Sequence, residues 1–540
     1  MKKPTVFKVL IALSSVLLGQ EKATVGLISI DRDNVYPGYS LFTPMGQKET
    51  FLIDNNGQLI NQWSSEFNAG FTAYLDAQGD LYRAGVFVPE GGFDAPGGGG
   101  VIQKFDWDNN LLWQFIYSDS QNRHHHDFEV MPNGNVLIIG WEVFSDEKSV
   151  VNGRQPETFN EGVLYVDHVI EVKPNGSSGG DVVWKWSVGD HLVQDFDNTK
   201  DNFGVVSSHP ELIDINYFTS VRKSWNHINH IDYDPMKDLI LLSAHAYSEV
   251  WIIDHSTTAE EANSHSGGNY DKGGDLIYRW GNPQAYKSGN EDDRKLFSQH
   301  YARWIPDGLP NAGKILLFNN GEFRTSDYST INLLDPGTFS FDENLLFEPA
   351  TFEYEFAAEP KEDFFSLRFS SAQQLANGNI LVCEGAKGNF FEINPETNEQ
   401  VWNYKNPVNP VLTFKQGENP VGNTAFFVRK YDLNYEGFRG KDLSPQGTIE
   451  DKNSNSEIPL SFDKQDQLFH LYPNPTEDLL NIKIGDSYHS INCIEIFDLS
   501  GSRIYIKKNV SNNVQFDVSN WRSGIYIVKI DGRTRKLSVN

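Results

Sequence analysis

The chain has 540 residues, which is too long for one ordinary domain, and its composition favours β-structure. It has 13% aromatic residues and 45 glycines but only 4 methionines. Rigid aromatic side chains and abundant turn residues are typical of all-β proteins. The net charge of -28 argues against nucleic acid and anionic membranes as partners, because the field of the protein would repel them.

Residues 1–20 predict a signal peptide. The basic start MKKPTVFK is followed by the apolar run VLIALSSVLLGQ, which is too short to span a membrane as a mature helix. We therefore expect an exported protein that is either secreted or held at the cell surface.

A hairpin of two short strands around a turn, usually closed by a tryptophan, recurs six times along the chain. Its copies start at residues 51, 101, 169, 250, 329 and 390, and the first reads FLIDNNGQLINQW. The copy at residue 250 contains a long inserted loop. Such even repetition of paired strands is the pattern of a radial β-architecture.

A second type of hairpin lies between the copies of the first. It reads FTAYLDAQGDLYRAG, HDFEVMPNGNVLIIG, NHIDYDPMKDLILLSA, HYARWIPDGLPNAGKILLFNNG and SSAQQLANGNILVCEG in chain order. Together the two hairpins supply four strands per repeat, so the sequence predicts a six-bladed β-propeller over residues 21–440. Because only five inner hairpins are visible, we expect both chain ends to complete the first blade, with residues 424–430 as the closing strand.

The last hundred residues predict a linker and a second, smaller domain. Residues 441–466 are polar and predict a linker without a core of its own, whereas residues 467–540 alternate in the manner of a small β-sandwich. The segments LYPNPTEDLLNIKI, INCIEIFDLSGSRIY and WRSGIYIVKI resemble the C-terminal sorting domain of proteins exported by the type IX secretion system. The resemblance implies the type IX machinery as a partner and places catalysis elsewhere.

The inner hairpins can be registered on their turns. The position six residues before the turn holds Phe71, His126, Asn229, His300 and Ser370. The innermost strands of a propeller line its axial channel, so these residues would form a polar ring around one opening. The alternative is that each histidine is a hydrogen-bonded structural residue at a strand end.

The run His124, His125 and His126 does not predict a metal site. Neighbouring residues of a strand point to opposite faces of the sheet and could not all bind one ion. We expect neither a metal nor another cofactor.

Four segments resemble the bacterial arylsulfate sulfotransferases, which are exported six-bladed propellers. They are the HHD motif ahead of MPNGN, WNHINHIDYDP, FSQHYARWIPDG and SSAQQLANGNILVCEG. The resemblance implies that His300 is the nucleophile and becomes a sulfohistidine. It also implies that His227 and Asn229 contact the sulfuryl oxygens and that His126 is the histidine of the family's His-Asp motif.

A hydroxyl group from the later inner hairpin would complete the site, and the register favours Ser370 over its neighbour Ser371. Two positions depart from the family pattern: Tyr301 stands where aspartate is common, and His245 stands where an arginine binds sulfuryl. We expect His245 to face the substrate, and Arg368 to replace the missing guanidinium from the strand face of Ser370.

The function implied by the resemblance is sulfuryl transfer from a phenolic sulfate ester to a phenolic or similar acceptor, without a nucleotide donor. A covalent intermediate divides the reaction into two easier steps. Two other functions fit the residues: a non-catalytic surface propeller that binds a glycan or a protein, and a histidine-dependent propeller lyase or hydrolase.

Overall fold

The computed structural model describes two stretches of the chain. The first is 23–452 apart from 94, 96, 159–161, 218–222, 343 and 344, and the second is 469–539 apart from 473–475, 477, 478, 485–490, 499–501, 511–513, 520, 523, 531 and 532. The predicted signal peptide and most of the predicted linker lie outside the described residues. No helix within these residues is long and apolar enough to cross a membrane.

The first stretch is built almost entirely of short strands. In chain order they are β1 (Gly26–Ile30), β2 (Gly38–Pro44), β3 (Glu49–Asp54), β4 (Leu59–Ser64), β5 (Ala69–Leu75), β6 (Leu81–Val86), β7 (Gly100–Phe105), β8 (Leu111–Ile116), β9 (Asn122–Val130), β10 (Val136–Ser145), β11 (Val163–Pro174), β12 (Gly180–Ser187), β13 (Leu192–Val193) and β14 (Ile213–Asp214). They continue with β15 (Ile228–Asp234), β16 (Leu239–Ala244), β17 (Glu249–Asp254), β18 (Tyr278–Trp280), β19 (His300–Trp304), β20 (Ile315–Asn319), β21 (Thr330–Leu334), β22 (Tyr354–Phe356), β23 (Ser371–Gln374), β24 (Ile380–Glu384), β25 (Asn389–Ile393), β26 (Gln400–Lys405) and β27 (Ala425–Asp432).

These strands form six antiparallel sheets, the blades of a β-propeller. From the axis outward, blade one is β27-β2-β3-β4, blade two β5-β6-β7-β8, blade three β9-β10-β11-β12, blade four β15-β16-β17-β18, blade five β19-β20-β21-β22, and blade six β23-β24-β25-β26 with β1 at its outer edge. The first strand of each blade contacts the first strand of the next, which closes the ring. The predicted six-bladed propeller is therefore confirmed.

The two ends of the propeller meet in blade one. Strand β27 pairs antiparallel with β2, and Ser40 lies opposite Lys430. The predicted closing strand, residues 424–430, is thus the innermost strand of a blade whose other three strands come from the start of the chain. The backbone hydrogen bonds between β27 and β2 therefore join the two ends of the ring.

The recurring tryptophans explain how the blades are held side by side. Each donates its indole N–H to a backbone carbonyl in a turn or loop of the following blade: Trp63 to Asp106 (2.8 Å), Trp113 to Gly179 (2.8 Å), Trp186 to Gly274 (2.6 Å), Trp280 to Pro349 (2.7 Å) and Trp402 to Asn55 (2.9 Å). A buried indole needs such an acceptor, so five of the six blades are joined to the next one by the same contact.

The inner strands of blades two to six are each distorted, within the strand or directly before it. A residue other than glycine adopts a left-handed backbone there, with φ of 94° at Phe71, 55° at His126, 53° at His227, 55° at Tyr301 and 92° at Ser370. Such conformations cost of the order of 1–3 kcal/mol each and cluster at functional sites. The strands are therefore bent where they line one end of the axial channel.

Helices are short and lie in the connections. The α-helices are α1 (Asp146–Val151), whose first turn is capped by Ser145, and α2 (Ile449–Lys452). Turns of 3-10 helix span Pro156–Thr158, Val188–Asp190, Val206–Ser208, His245–Tyr247, Glu261–Asn263, Pro283–Tyr286, Glu291–Asp293, Lys361–Asp363, Gly385–Lys387 and Glu436–Phe438. Strands β13 and β14 form a small parallel pair between blades three and four.

Residues 441–452, which the sequence places in the linker, pack on the propeller. Leu59 donates its backbone N–H to the Gly447 carbonyl at 2.8 Å, Gln446 returns a 2.8 Å bond to the Leu59 carbonyl, and Ile449 is buried in the apolar core beside blades one and six. The domain limits remain predictions.

The C-terminal stretch contains two further antiparallel sheets. Its strands are β28 (Phe469–Tyr472), β29 (Leu479–Ile484), β30 (Ile491–Asp498), β31 (Arg503–Val510), β32 (Val514–Asp517), β33 (Gly524–Ile530) and β34 (Arg533–Val539). They are ordered β28-β29-β32 and β31-β30-β33-β34 around an apolar core, in agreement with the predicted small β-sandwich.

Candidate active site

Four imidazole rings form a continuous arc at the bent ends of the inner strands. The ring centroids lie 4.7 Å apart between His126 and His227, 5.0 Å between His227 and His245, and 5.0 Å between His245 and His300. His126 and His300 are buried, whereas His227 and His245 are half-buried. The structure thus brings together four of the predicted site residues, contributed by blades three, four and five.

The hydrogen bonds of His300 determine which ring nitrogen carries its proton. Nδ1 lies 2.8 Å from the side-chain oxygen of Asn320, whose own amide donates to the carbonyls of Ser366 (2.8 Å) and Phe369 (3.0 Å). Since that oxygen can only accept, Nδ1 carries the hydrogen. Nε2 has the lone pair, and it accepts a 3.2 Å bond from the Phe369 N–H. His300 is therefore a neutral imidazole with its nucleophilic nitrogen at Nε2.

Burial keeps His300 neutral over a wide pH range. Loss of solvent lowers the pKa of this imidazole to about 4, although the bond from Nδ1–H to Asn320 acts in the opposite direction. Asn320 was not found by sequence reasoning. Its signal was its place directly after β20, the strand that pairs with β19, of which His300 is the first residue.

His126 is the end of a short chain of polar side chains. Its Nδ1 lies 2.8 Å from Nδ1 of His125, and Nε2 of His125 lies 2.9 Å from a carboxylate oxygen of Asp167. His125 also stacks on Trp141 with 3.8 Å between ring centroids. Burial raises the pKa of Asp167 well above its ordinary value and lowers the pKa of both imidazoles well below theirs. A proton taken up by these three side chains is therefore favoured on Asp167 rather than on either imidazole.

Asn229 and His227 are already held by their neighbours. The Asn229 amide donates to the Gln299 carbonyl at 2.8 Å, while its own oxygen is buried without a hydrogen-bond partner among the described residues. Nδ1 of His227 lies 3.2 Å from the Ser224 hydroxyl. Asn229 therefore fixes the backbone directly before His300 and keeps one amide hydrogen for another acceptor.

The hydroxyl groups of the two candidate serines, Ser370 and Ser371, differ in their hydrogen bonds. The Ser370 hydroxyl donates to the Ser366 hydroxyl at 2.9 Å and accepts from the Gly385 N–H at 3.0 Å. The Ser371 hydroxyl is buried and has no hydrogen-bond partner within the described stretches. Arg368 is half-buried with its guanidinium 5.3 Å above the Phe369 ring, and it forms no ion pair with a described residue.

Tyr301 belongs to a buried layer below the arc. Its ring lies 4.2 Å from that of His230 and 5.4 Å from that of Phe427. His230 is paired through Nδ1 with Asp127, which also accepts a 2.8 Å bond from the Tyr74 hydroxyl. The carboxylate of this layer is that of Asp127 on blade three, whereas the residue directly after His300 is Tyr301.

Phenyl rings line one side of the arc. Phe426 of β27 lies 5.9 Å from His300 and 6.0 Å from His126 between ring centroids, and it packs against Phe71 (5.1 Å) and Phe369 (6.0 Å). We call these three residues, Phe71, Phe369 and Phe426, the phenyl wall. Sequence reasoning did not identify Phe426, although it lies on the predicted closing strand. An aromatic ligand could pack on this wall while its polar end meets the imidazoles.

Comparison with known families and structures supplies the wider context. The profile of the family described as Arylsulfotransferase (ASST) matches residues 46–418, and that of the secretion system C-terminal sorting domain matches residues 470–539. The comparison with curated proteins found no match. The sorting domain is of the type IX class and supports export to the cell surface or the medium.

Solved structures resemble the chain only loosely. A protein of unknown function from Bacteroides caccae is 13% identical with a TM-score of 0.38, and the match covers 73% of this chain and 98% of that one. The β-propeller domain of Cps50 (Swd1) from Myceliophteria thermophila is 10% identical with a TM-score of 0.34, over 71% and 90% of the two chains. Streptogramin B lyase is 9% identical with a TM-score of 0.33, over 72% and 86%.

The similarity to these structures is too low to indicate a function. The family match, by contrast, covers more than half of the chain and includes every residue of the imidazole arc. Small-molecule substrates and an arylsulfotransferase-like activity follow from it. The chain belongs to the arylsulfotransferase family.

Proposed function

We propose that the protein transfers a sulfuryl group from an aryl sulfate ester to a phenolic or similar acceptor through a sulfohistidine at His300. The observation that carries the proposal is the bonding of His300, in which Asn320 holds the proton on Nδ1 and the lone pair is on Nε2, where its one partner is the Phe369 N–H at 3.2 Å. A neutral imidazole in this tautomer is a competent nucleophile at neutral pH.

In the first step, Nε2 of His300 attacks the sulfur of the donor. A bond forms between nitrogen and sulfur, and the bond between sulfur and the aryl oxygen breaks with its electron pair leaving on that oxygen. His300 then carries a positive charge, which the bond from Nδ1–H to Asn320 stabilises. The aryl group would pack on the phenyl wall, which orients the ester for in-line attack.

The negative charge on the sulfuryl oxygens needs hydrogen-bond donors. When Nε2 turns toward sulfur, the Phe369 N–H that it releases is free to donate, and so is the second amide hydrogen of Asn229. His227 and His245 lie along the arc, and Arg368 supplies the nearby guanidinium in place of the arginine that His245 replaces. Each such donor is worth about 2–4 kcal/mol in the transition state.

We assign acid–base catalysis to the chain from Asp167 through His125 to His126. Uptake of a proton at Nε2 of His126 would shift the Nδ1 proton to His125 and the Nε2 proton of His125 to Asp167. The charge is then neutralised at the carboxylate and no buried imidazolium remains. The raised pKa of Asp167 favours this end state. The chain would protonate the leaving aryl oxide in the first step and take the proton of the acceptor hydroxyl in the second.

Ser371 is a second candidate for the hydroxyl of the site. Ser370 is the residue preferred by register, but its hydroxyl is occupied by Ser366 and Gly385. The Ser371 hydroxyl has no partner among the described residues, so no existing bond would have to break for it to donate to a bound anion.

Incubation with 4-nitrophenyl sulfate and phenol tests the proposal. We expect nitrophenol release that increases with phenol, and a mass increase of one sulfuryl group when the donor is added alone. His300→Asn should abolish both, whereas His209→Ala, a histidine outside the arc, should change neither. Donor hydrolysis without a phenol effect would favour a hydrolase, and the absence of any turnover would favour a binding propeller.

A further inference from the structure

Two blades contribute a second histidine cluster far out from the axis. His191 follows the outer strand β12 of blade three, and His265 and Asp275 lie in the inserted loop between β17 and β18 of blade four. The arc of the active site, by contrast, lies on or beside the inner strands β9, β15 and β19, with His245 directly after β16. The two histidines and the aspartate are therefore outside the catalytic arrangement.

The three side chains converge on one point. Nδ1 of His191 lies 2.8 Å from Oδ1 of Asp275, and Nδ1 of His265 lies 2.7 Å from the same oxygen. One ligand atom from each residue lies within 4.8 Å of the other two. His191 and Asp275 are buried while His265 is exposed, so the cluster can be reached from solvent.

The hydrogen bonds of His191 leave the Nδ1 lone pair of the neutral ring facing a carboxylate, and a cation between the two would bind both. Nε2 lies 3.0 Å from the Ala262 carbonyl, which can only accept, so Nε2 carries the hydrogen. In the neutral ring the Nδ1 lone pair then faces the carboxylate of Asp275, and two lone pairs in contact repel. A bond from the far nitrogen to a backbone carbonyl is also how metal-binding histidines are commonly oriented.

We propose that His191, His265 and Asp275 bind a divalent transition metal, with Zn²⁺ the best fit. Two imidazole nitrogens and one carboxylate oxygen suit Zn²⁺, whereas Ca²⁺ and Mg²⁺ prefer oxygen ligands alone. A tetrahedral ion would place its ligand atoms about 3.3 Å apart, so small side-chain movements suffice. Solvent would supply the fourth ligand on the side of His265.

The role of the ion would be to fasten the inserted loop to blade three. The loop already docks there, because Trp186 donates to the Gly274 carbonyl at 2.6 Å and Trp184 donates to the Thr257 hydroxyl at 3.1 Å. A side chain at position 274 would clash with this docking, because a Cβ there would lie 2.5 Å from Nε2 of His191. An ion across these elements would stabilise the folded state in proportion to its occupancy.

The test uses the full chain, purified without a metal-affinity step, stripped with EDTA and dialysed. After addition of ZnCl₂ and desalting, we expect one equivalent of bound zinc per chain, measured by elemental mass spectrometry. We also expect a higher melting temperature than that of the stripped protein. His265→Ala and Asp275→Asn should lose both effects. His265 is exposed, so its replacement leaves the fold intact.

His209→Ala is the matched control, because His209 pairs with the single carboxylate of Glu211 at 3.1 Å and is not part of the cluster. It should retain zinc like the unaltered chain. No retained zinc in the unaltered chain would overturn the proposal, and so would equal retention in His265→Ala. Sulfuryl transfer is measured separately on the same samples, so failure of one proposal does not imply failure of the other.

Discussion

A fall in pH from 7 to 5 should leave the sulfuryl transfer to His300 almost unchanged. Burial lowers the pKa of this imidazole from its ordinary 6.5 to about 4. At pH 5 about 90% of His300 therefore remains neutral and nucleophilic, whereas about 3% would remain at the ordinary pKa. The difference between the two cases is roughly thirtyfold in rate.

The assay is the burst of nitrophenol from 4-nitrophenyl sulfate without acceptor, sampled between pH 4 and 8 and stopped in alkali. The burst reports the first step alone. We expect the acid limb of its rate to have a midpoint near pH 4. A midpoint near 6.5 would refute the reasoning, because His300 would then titrate as an exposed imidazole rather than a buried one.

The loss of burst rate at low pH must be distinguished from unfolding, because the lowered pKa of His300 also makes the folded state less stable at low pH. The unfolded chain binds a proton at His300 below pH 6.5, and the folded chain does so only below about 4. The free energy of unfolding therefore falls between pH 6.5 and 4, by about 3 kcal/mol for this one group. Burial also lowers the pKa of His124 to about 4 and of His168 to about 3, so both add to the loss. Tryptophan fluorescence at each pH identifies the range in which the chain is folded.

Three substitutions address the rest of the site. Asn320→Ala removes the acceptor of His300 Nδ1–H and should lower the burst rate about 10- to 100-fold, measured as above; an unchanged rate would show that the tautomer is not held by this bond. Asp167→Asn should slow transfer from phenyl sulfate much more than from 4-nitrophenyl sulfate, because only the poorer leaving group needs a proton; equal slowing would contradict the proton chain. Phe426→Leu should raise KM for aryl donors about 2- to 10-fold with little change in kcat, and a loss confined to kcat would argue against the phenyl wall.

The fold could be predicted largely from the sequence because its signals are local. Each of blades two to six is two hairpins whose strands are neighbours in the chain, so alternation and turn residues suffice to identify them. The tryptophans recur because five of the six blades make the same contact with the next. Even the closing strand followed from counting, since six outer hairpins and five inner ones leave one inner pair of strands for the two chain ends to supply.

The sequence also predicted His126, His227, His245 and His300 as site residues, and their roles stay predictions; register and resemblance could select them because both depend on position along the chain. It could not identify Asn320 as the partner of His300 Nδ1, nor Ser371 as the unpartnered hydroxyl. Those properties depend on which atoms meet after the strands bend at left-handed residues such as His126 and Ser370.

Contacts between distant segments were decided by the tertiary structure alone. Phe426 reaches His126 only because the end of the chain closes blade one, and His191 meets Asp275 only because the inserted loop folds back on blade three. No spacing in the sequence encodes either meeting. Closure of the ring sets the first contact and docking of the inserted loop sets the second, and both bring residues tens to hundreds of positions apart within a few ångströms of one another.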